Sequence, residues 1–471
     1  MRRPALVLVC LLALLALPRA AAAANHMLVG FQDDPSFRWR DDRHEQLDEA
    51  AAAHADILRT TVYWSRVAPT RPASPSSPFD PAYRFDDLDE MIREAGLRDM
   101  DVMLTIWGTP GWANGGRGQN YAPTRMSDLQ AFARALASRY SGRYAGYPLV
   151  RYFTVWNESN LGQFLSPQYD SSGRPVGARI YAQLYRAAYA GIKAGNSRAL
   201  VGVGETSARG RDHVLGVSGT QETESPGKFA QLLAQQRPAL KFDAWSHHPY
   251  PTTLRSLPTE RVRWPNVSVA LLPQFEQSLA QWFHRRTIPI WVTEYGYQTR
   301  PEEPRGVSYA QQASYLRTVL TTLRRLPYVS MFVWFVLRDD PTAAWKSGLI
   351  ERDGAHKPAY AAFAALARVL DGRNVDAAVK GGTRNPRVQL ETTSLLAKDG
   401  AGANVSVTYG VKRGSSSVAT GAAAIPLAAD GTVSFTLRGV TVAKGGTYVA
   451  TVSLEDINGN VLRRTVTLTG T

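Results

Sequence analysis

The chain has 471 residues, of which 44% are hydrophobic, 20% charged and 10% aromatic. These proportions exclude a disordered, collagen-like or disulfide-stapled small protein, and they suit about two domains of roughly 100–200 residues each. The formal net charge is +14, but basic residues are spread along the whole chain with no block of five like charges, so no nucleic-acid partner is expected.

The first segment reads as a secretory signal. Met1-Arg2-Arg3 is a basic start, Ala5 to Leu17 an apolar run, and Ala20 to Ala24 an A-x-A cleavage site. The apolar run is too short to span a bilayer, and no later segment reaches about 18 apolar residues, so no membrane span is expected. The single cysteine, Cys10, lies inside this signal. The expected domains are residues 1–24 as signal peptide, 25–372 as a barrel and 373–471 as a β-sandwich, in a protein released from the cell.

From Met27 onward, short apolar runs alternate with stretches of helical spacing. The runs are Met27–Phe31, Ile57–Trp64, Val102–Trp107, Leu149–Trp156, Leu200–Val203, Phe242–His247, Ile288–Thr293 and Val329–Leu337. The helical stretches are Asp42–Ala53, Phe85–Gly96, Ser127–Tyr144, Ala178–Ala194, Lys228–Gln236, Ala270–Arg285, Tyr309–Arg325 and Ala359–Leu370. Continuous apolar runs are what parallel strands buried on both faces require. Eight strand-helix pairs predict a (β/α)₈ barrel, an α/β fold. No G-x-G-x-x-G follows the first strand, which argues against dinucleotide binding.

Beyond Asp371-Gly372 the helical period disappears. Val388–Thr392, Val405–Val411, Val433–Leu437, Thr447–Leu454 and Val461–Leu468 alternate apolar and polar residues, with turns at Asp430-Gly431, Gly445-Gly446 and Asn458-Gly459. Short antiparallel strands predict an all-β sandwich of immunoglobulin or fibronectin type. It carries no catalytic constellation and reads as a stabilising appendage.

Active residues of such barrels gather at the C-terminal strand ends. Strand four ends in Trp156-Asn157-Glu158-Ser159-Asn160 and strand seven in Thr293-Glu294-Tyr295-Gly296. Each puts one carboxylate where an apolar strand stops, on strands facing one another across the barrel mouth. Two carboxyl groups about 5–5.5 Å apart are what retaining glycoside hydrolysis needs, one as acid and one as nucleophile.

These segments resemble clan A of the glycoside hydrolases over roughly residues 27–370. Trp156 to Asn160 is similar to the clan's W-N-E-P-N signature, with Ser159 in place of proline. Gly108-Thr109-Pro110-Gly111-Trp112-Ala113 is similar to family 39, and His248-Pro249-Tyr250 matches the H-x-Y pattern of family 5. The resemblance implies Glu158 as acid/base, with a raised pKa, and Glu294 as nucleophile. It implies that Arg59 hydrogen-bonds the nucleophile, that Asn157 binds the sugar 2-hydroxyl, that Tyr250 donates to the nucleophile and that His248 lines the same floor. It also makes Trp334 the floor of the subsite holding the cleaved sugar. Trp107 is a further aromatic candidate, and Asp33-Asp34 and Asp339-Asp340 are loop acids at the same face. The loops Gly162–Gly177 and Glu205–Gly227, the latter with Arg209, Arg211 and His213, are long enough to shape a pocket. His247-His248 has no third ligand at metal spacing, so neither metal nor cofactor is expected.

The expected function is therefore a secreted retaining glycosidase acting on a carbohydrate. A non-catalytic carbohydrate-binding barrel and a transglycosylase using the same two steps are the alternatives.

Overall fold

The computed structural model describes residues 26–214, 221–341, 345–370 and 372–471. The expected signal at 1–24 lies outside the described residues. Eight parallel strands close into a barrel: β1 (Leu28–Gln32), β2 (Ile57–Tyr63), β3 (Asp101–Trp107), β4 (Tyr152–Val155), β5 (Leu200–Ser207), β6 (Ala244–His248), β7 (Ile290–Tyr295) and β8 (Val329–Phe335), with β8 pairing back onto β1. Helices such as Asp86–Leu97, Met126–Arg139 and Gly177–Gly195 run back along the outside.

The two faces of each strand explain the continuous apolar runs. Leu28, Ile57, Met103, Ala244, Trp291, Met331 and Val333 meet inside the barrel. Their neighbours, such as Val29, Leu58, Phe332 and Trp334, face the helices in a separate, larger core. Trp291 fills the interior so fully that a Cβ on Gly202 would come within 2.9 Å of its ring, which is why a residue without a side chain stands there.

After the helix Pro358–Leu370 come β9 (Val375–Val379), β10 (Arg387–Glu391), β11 (Asn404–Arg413), β12 (Ser416–Pro426), β13 (Thr432–Thr436), β14 (Thr447–Glu455) and β15 (Val461–Gly470). They form a five-stranded sheet in the order β12-β11-β14-β15-β9 and a two-stranded sheet β10-β13. The sheets enclose Val388, Leu390, Val407, Phe435, Val452 and Leu468. Two strands and a helix depart from the sequence reading. β9 pairs parallel with β15, and β12 is an Ala-, Ser- and Gly-rich edge strand with almost no buried side, so it lacks the alternation that marks a half-buried strand. Thr393–Asp399 is helical and packs on the barrel helix Asp86–Leu97.

That helix is one of several ties between the two parts. Leu149, just before β4, is buried in the core of the sheets. Asp99 accepts from Arg464 at 2.7 Å and Arg373 at 3.0 Å, and Arg151 donates to Glu391 at 2.5 Å. Arg464 is nearly fully buried, so removing it strands part of the Asp99 charge. Arg464→Met is expected to destabilise by about 2 kcal/mol. A lower thermal transition, with turnover per folded molecule unchanged, checks this.

Candidate active site

The C-terminal strand ends surround a cavity of about 850 Å³, lined among others by Asn157, Glu158, Tyr250 and Glu294. Alternation along β2 turns Ile57, Arg59, Thr61 and Tyr63 to the interior. Arg59 is fully buried and spans the cavity floor. Its Nη1 donates to Glu294 Oε1 at 2.7 Å and to Gln32 Oε1, and its Nη2 to Glu205 Oε2 at 2.9 Å and Asn157 Oδ1 at 3.0 Å.

At the end of β4 the backbone enters the left-handed region twice, at Trp156 (φ 73°) and Glu158 (φ 37°). Bulky residues rarely adopt that conformation, and such strain is held only where surrounding contacts over-determine it. Here it throws Trp156 outward, where its Nε1 donates to the Phe164 carbonyl at 2.6 Å, and turns Glu158 into the cavity.

β5 holds a residue that the sequence reading left at the start of a loop. The strand continues past Val203 through a bulge, in which Gly204 (φ 100°) and Glu205 (φ 43°) both have left-handed backbone. The bulge aims Glu205 inward, fully buried. There it accepts from Arg59, from His248 Nε2 at 2.9 Å and from Thr293 Oγ1 at 3.4 Å. Burial alone would raise its pKa, but the Arg59 charge and the His248 hydrogen bond outweigh this and lower it to about 2.

Alternation along β6 points His247 outward and His248 inward. His247 lies between Thr206 Oγ1 at 2.9 Å and the Val267 carbonyl at 3.1 Å, and burial lowers its pKa to about 3, so it is a neutral packing residue. His248 Nδ1 is 3.2 Å from Glu158 Oε1 and 3.6 Å from Glu294 Oε2. Burial opposes charging this ring, but the Glu294 charge and the hydrogen bonds to Glu158 and Glu205 raise its pKa to about 10. The Tyr250 hydroxyl donates to Glu294 Oε2 at 3.2 Å. Burial, with the Glu294 and Glu158 charges, raises the phenol well above its ordinary value, so it remains a donor. Its ring stacks on Tyr295 and meets the edge of Trp345.

The aromatic expectations divide. Trp107 lines the cavity, with its Nε1 donating to the Phe164 carbonyl at 3.3 Å. Trp334 does not line it and is corrected: it is fully buried, faces the helices and donates to the Ser347 carbonyl at 2.9 Å. The reason is the two-residue period of β8. Met331 and Val333 point inward, so Trp334 points out, and Phe335 with Trp345 lines the cavity instead. Asp33 and Asp34 line it too, and they also fasten the loops. Asp33 accepts from the backbone N–H of Ser36 and Arg338, and Asp34 from Thr60 Oγ1 and the Thr61 N–H. Asp339 is paired with Lys357 at 2.5 Å, away from the cavity. Of the two long loops, Gln163, Phe164, Ser207 and Arg209 reach the cavity; residues 215–220 lie outside the described residues.

Behind the Glu158 turn is a second buried acid, Glu224. Its backbone N–H donates to the Asn160 carbonyl, and its own carbonyl accepts from Asn160 Nδ2, both at 2.8 Å. Among the described residues neither carboxyl oxygen has a hydrogen-bond partner, nor does Gln168 Oε1. Gln168 Nε2 is fixed on the carbonyls of Ser159 and Leu165. Burial raises the Glu224 pKa from 4.5 to about 8. Below the ordinary value the group is neutral in both folded and unfolded chains. As pH rises to about 8, the unfolded chain ionises first, so the folded state loses stability across that window. Glu224→Gln is expected to flatten that slope, gaining up to a few kcal/mol at pH 8 relative to acid pH. Urea unfolding at both ends of the window reads it.

The family model described as Cellulase (glycosyl hydrolase family 5) matches residues 24–336. No curated protein matches the chain. Among solved structures, the chain is similar to a family 39 glycoside hydrolase from the gut symbiont Bacteroides cellulosilyticus WH2, at 16% identity and a TM-score of 0.51, covering 88% of this chain and 80% of that one. It is also similar to GH5_18 from Streptomyces cattleya, solved in complex with GlcNAc, at 18% identity and a TM-score of 0.52, covering 77% and 86%. At such identity the likeness is one of fold.

Proposed function

The chain belongs to glycosyl hydrolase family 5 and is a glycosidase; on that premise we propose that it cleaves O-glycosidic bonds with retention, through Glu158 as acid/base and Glu294 as nucleophile. One observation carries this reading. Glu158 Oε1 and Glu294 Oε2 lie 3.2 and 3.6 Å from the same His248 nitrogen. Two oxygens that close to one atom are less than about 7 Å apart, which supports the short separation of a retaining pair over most of the roughly 6.5–9.5 Å range of inverting enzymes.

In the first step Glu158 gives its proton to the glycosidic oxygen as Glu294 attacks the anomeric carbon. Arg59 and Tyr250, one on each Glu294 oxygen, orient the attacking carboxylate and keep it an acceptor. In the second step Glu158, now ionised, takes a proton from water, which attacks the anomeric carbon and releases Glu294. Cavity aromatics such as Trp107, Phe335 and Trp345 supply apolar faces for the C–H surfaces of a sugar.

The substrate is an oligosaccharide, polysaccharide or simple glycoside. We read the protein as secreted, on the composition of residues 1–24. Among the described residues no helix is long and apolar enough to cross a membrane. A panel of aryl glycosides, run with the wild type and Glu294→Gln, tests the reading. Release of phenol from at least one glycoside by the wild type, and none by the variant, is expected. Equal release by both would sink it.

A further inference from the structure

Glu205 takes no part in the two steps above, yet it touches both cations of the site. His248 Nε2 is 2.9 Å from its Oε2. An ionised carboxylate only accepts, so Nε2 carries a hydrogen. The open question is Nδ1, which faces Glu158 Oε1 and Glu294 Oε2. It can donate to Glu158, or it can accept a proton that Glu158 carries.

Charge balance decides between these. Glu158, Glu205, Glu294, Arg59 and His248 are joined in one cluster with little access to water. The nearest further charge is Asp34, which acts on Arg59 from the β1 side and is matched by Arg38, 3.9 Å away; the other groups around the cluster are uncharged. Tyr250 is a neutral phenol on Glu294, Thr293 a hydroxyl on Glu205, and His247 a neutral ring facing away. By the roles assigned above, Glu158 must start the first step as an acid and Glu294 as a carboxylate, which makes Glu205 and Glu294 the two anions to be balanced. Arg59 balances one of them. The second is balanced only if His248 is a cation, and an unbalanced buried charge is costly.

Resting on the role assigned to Glu158, we propose that Glu205 is a positioning residue for the acid: it holds His248 protonated on both nitrogens, so that Nδ1–H donates to Glu158 Oε1 and the catalytic proton is confined to Oε2. An imidazolium that donates to one carboxyl oxygen cannot also accept that group's proton. The acid proton therefore faces the substrate rather than the histidine. The raised pKa of His248 agrees with this arrangement.

Glu205→Gln keeps the shape of the side chain and removes the charge. The remaining anion is then matched by Arg59 alone, so His248 becomes neutral, and Nδ1 or Nε2 is left as an acceptor. Two readouts follow. In nitrogen-15 spectra of histidine-labelled protein, assigned by loss of the signal in His248→Asn, the wild-type ring is expected to stay doubly protonated from about pH 6 to about pH 9. The Gln variant is expected to show a neutral ring over the same span, and Glu205→Asp to retain the cation. In kinetics, Glu205→Gln is expected to lose on the order of 10²-fold in kcat for an alkyl or unactivated aryl glycoside, but no more than about five-fold for a dinitrophenyl glycoside, which needs little protonation. A purely structural role would lower both alike.

A neutral His248 ring in the wild type at pH 7 overturns the proposal, whatever the variants do. So does a Gln variant that keeps the doubly protonated ring. If the ring behaves as expected but both leaving groups suffer equally, the charge pairing stands and the positioning of the acid falls. The spectroscopic arm does not depend on turnover, so a failure of the glycosidase reading is seen separately, as inactivity of the wild type.

Discussion

Replacing Glu294 with alanine is expected to reduce turnover on the order of 10⁵-fold, because no group remains to form the covalent intermediate. Arg59 and Tyr250 would still point at the vacated position, but neither is a nucleophile. Glu158→Ala is expected to behave differently. With a dinitrophenyl leaving group the first step survives, since the departing phenolate barely needs a proton, and the second step stalls for want of a base. A burst of phenol is therefore expected from Glu158→Ala and none from Glu294→Ala. Azide separates the two further. It attacks the accumulated intermediate in Glu158→Ala and gives the azide of retained configuration. It attacks the substrate directly in Glu294→Ala and gives the inverted azide. General damage to the barrel would silence both variants alike, and exchanged azide products would exchange the two roles.

The second large effect is expected at Arg59. Its guanidinium reaches four partners at once: Gln32, Asn157, Glu205 and Glu294. Arg59→Met leaves two buried carboxylates facing a single histidine, a cost of about 3–5 kcal/mol. Arg59→Lys keeps the charge, but one ammonium group cannot span Glu294 and Glu205 with the same fork. A loss of at least about 10³-fold in kcat is expected from that variant, from misoriented Glu294. The stability deficit of Arg59→Met should also depend on pH. In the wild type the Glu205 pKa lies at about 2, below its ordinary 4.5. Its ionic contribution is thus fully present above 4.5 and is lost as pH falls toward 2. The variant lacks the Arg59 part of that contribution and keeps the His248 part, so its deficit should be greatest near neutrality and shrink in acid. Urea midpoints of both proteins across that range give the answer, and a constant deficit would contradict the assigned pairing.

The barrel was readable because its strands are buried on both faces, which leaves eight uninterrupted apolar runs in the sequence. Asn157, Glu158, His248, Tyr250 and Glu294 were readable because each stands at or near the end of such a run, and Arg59 because it is a charge inside one; all six meet at the cavity floor and walls. Glu205 was not, because it follows Gly204 and looks like the first residue of a loop. The bulge that returns it to the strand is a tertiary feature with no local signature beyond that glycine. Trp334 was misread for the opposite reason. The family resemblance puts a strand-eight tryptophan in the site, whereas counting by twos along β8 turns Trp334 away from the cavity. In the C-terminal sheets the strands with a buried side were visible, whereas the Ala-rich edge strand β12 was hidden by its exposure on both faces. The ties from Asp99 and Leu149 to these sheets could not be read from sequence at all, since they join residues hundreds of positions apart.

The most direct test of the proposed mechanism is the configuration of the first-formed sugar. Proton NMR, recorded within the first turnovers on any glycoside the enzyme accepts, shows the anomeric proton before mutarotation scrambles it. The proposed roles of Glu158 as acid/base and Glu294 as nucleophile predict that the initial product carries the same anomeric configuration as the substrate. Initial accumulation of the opposite anomer would contradict it and would mean that water, not Glu294, attacks the sugar.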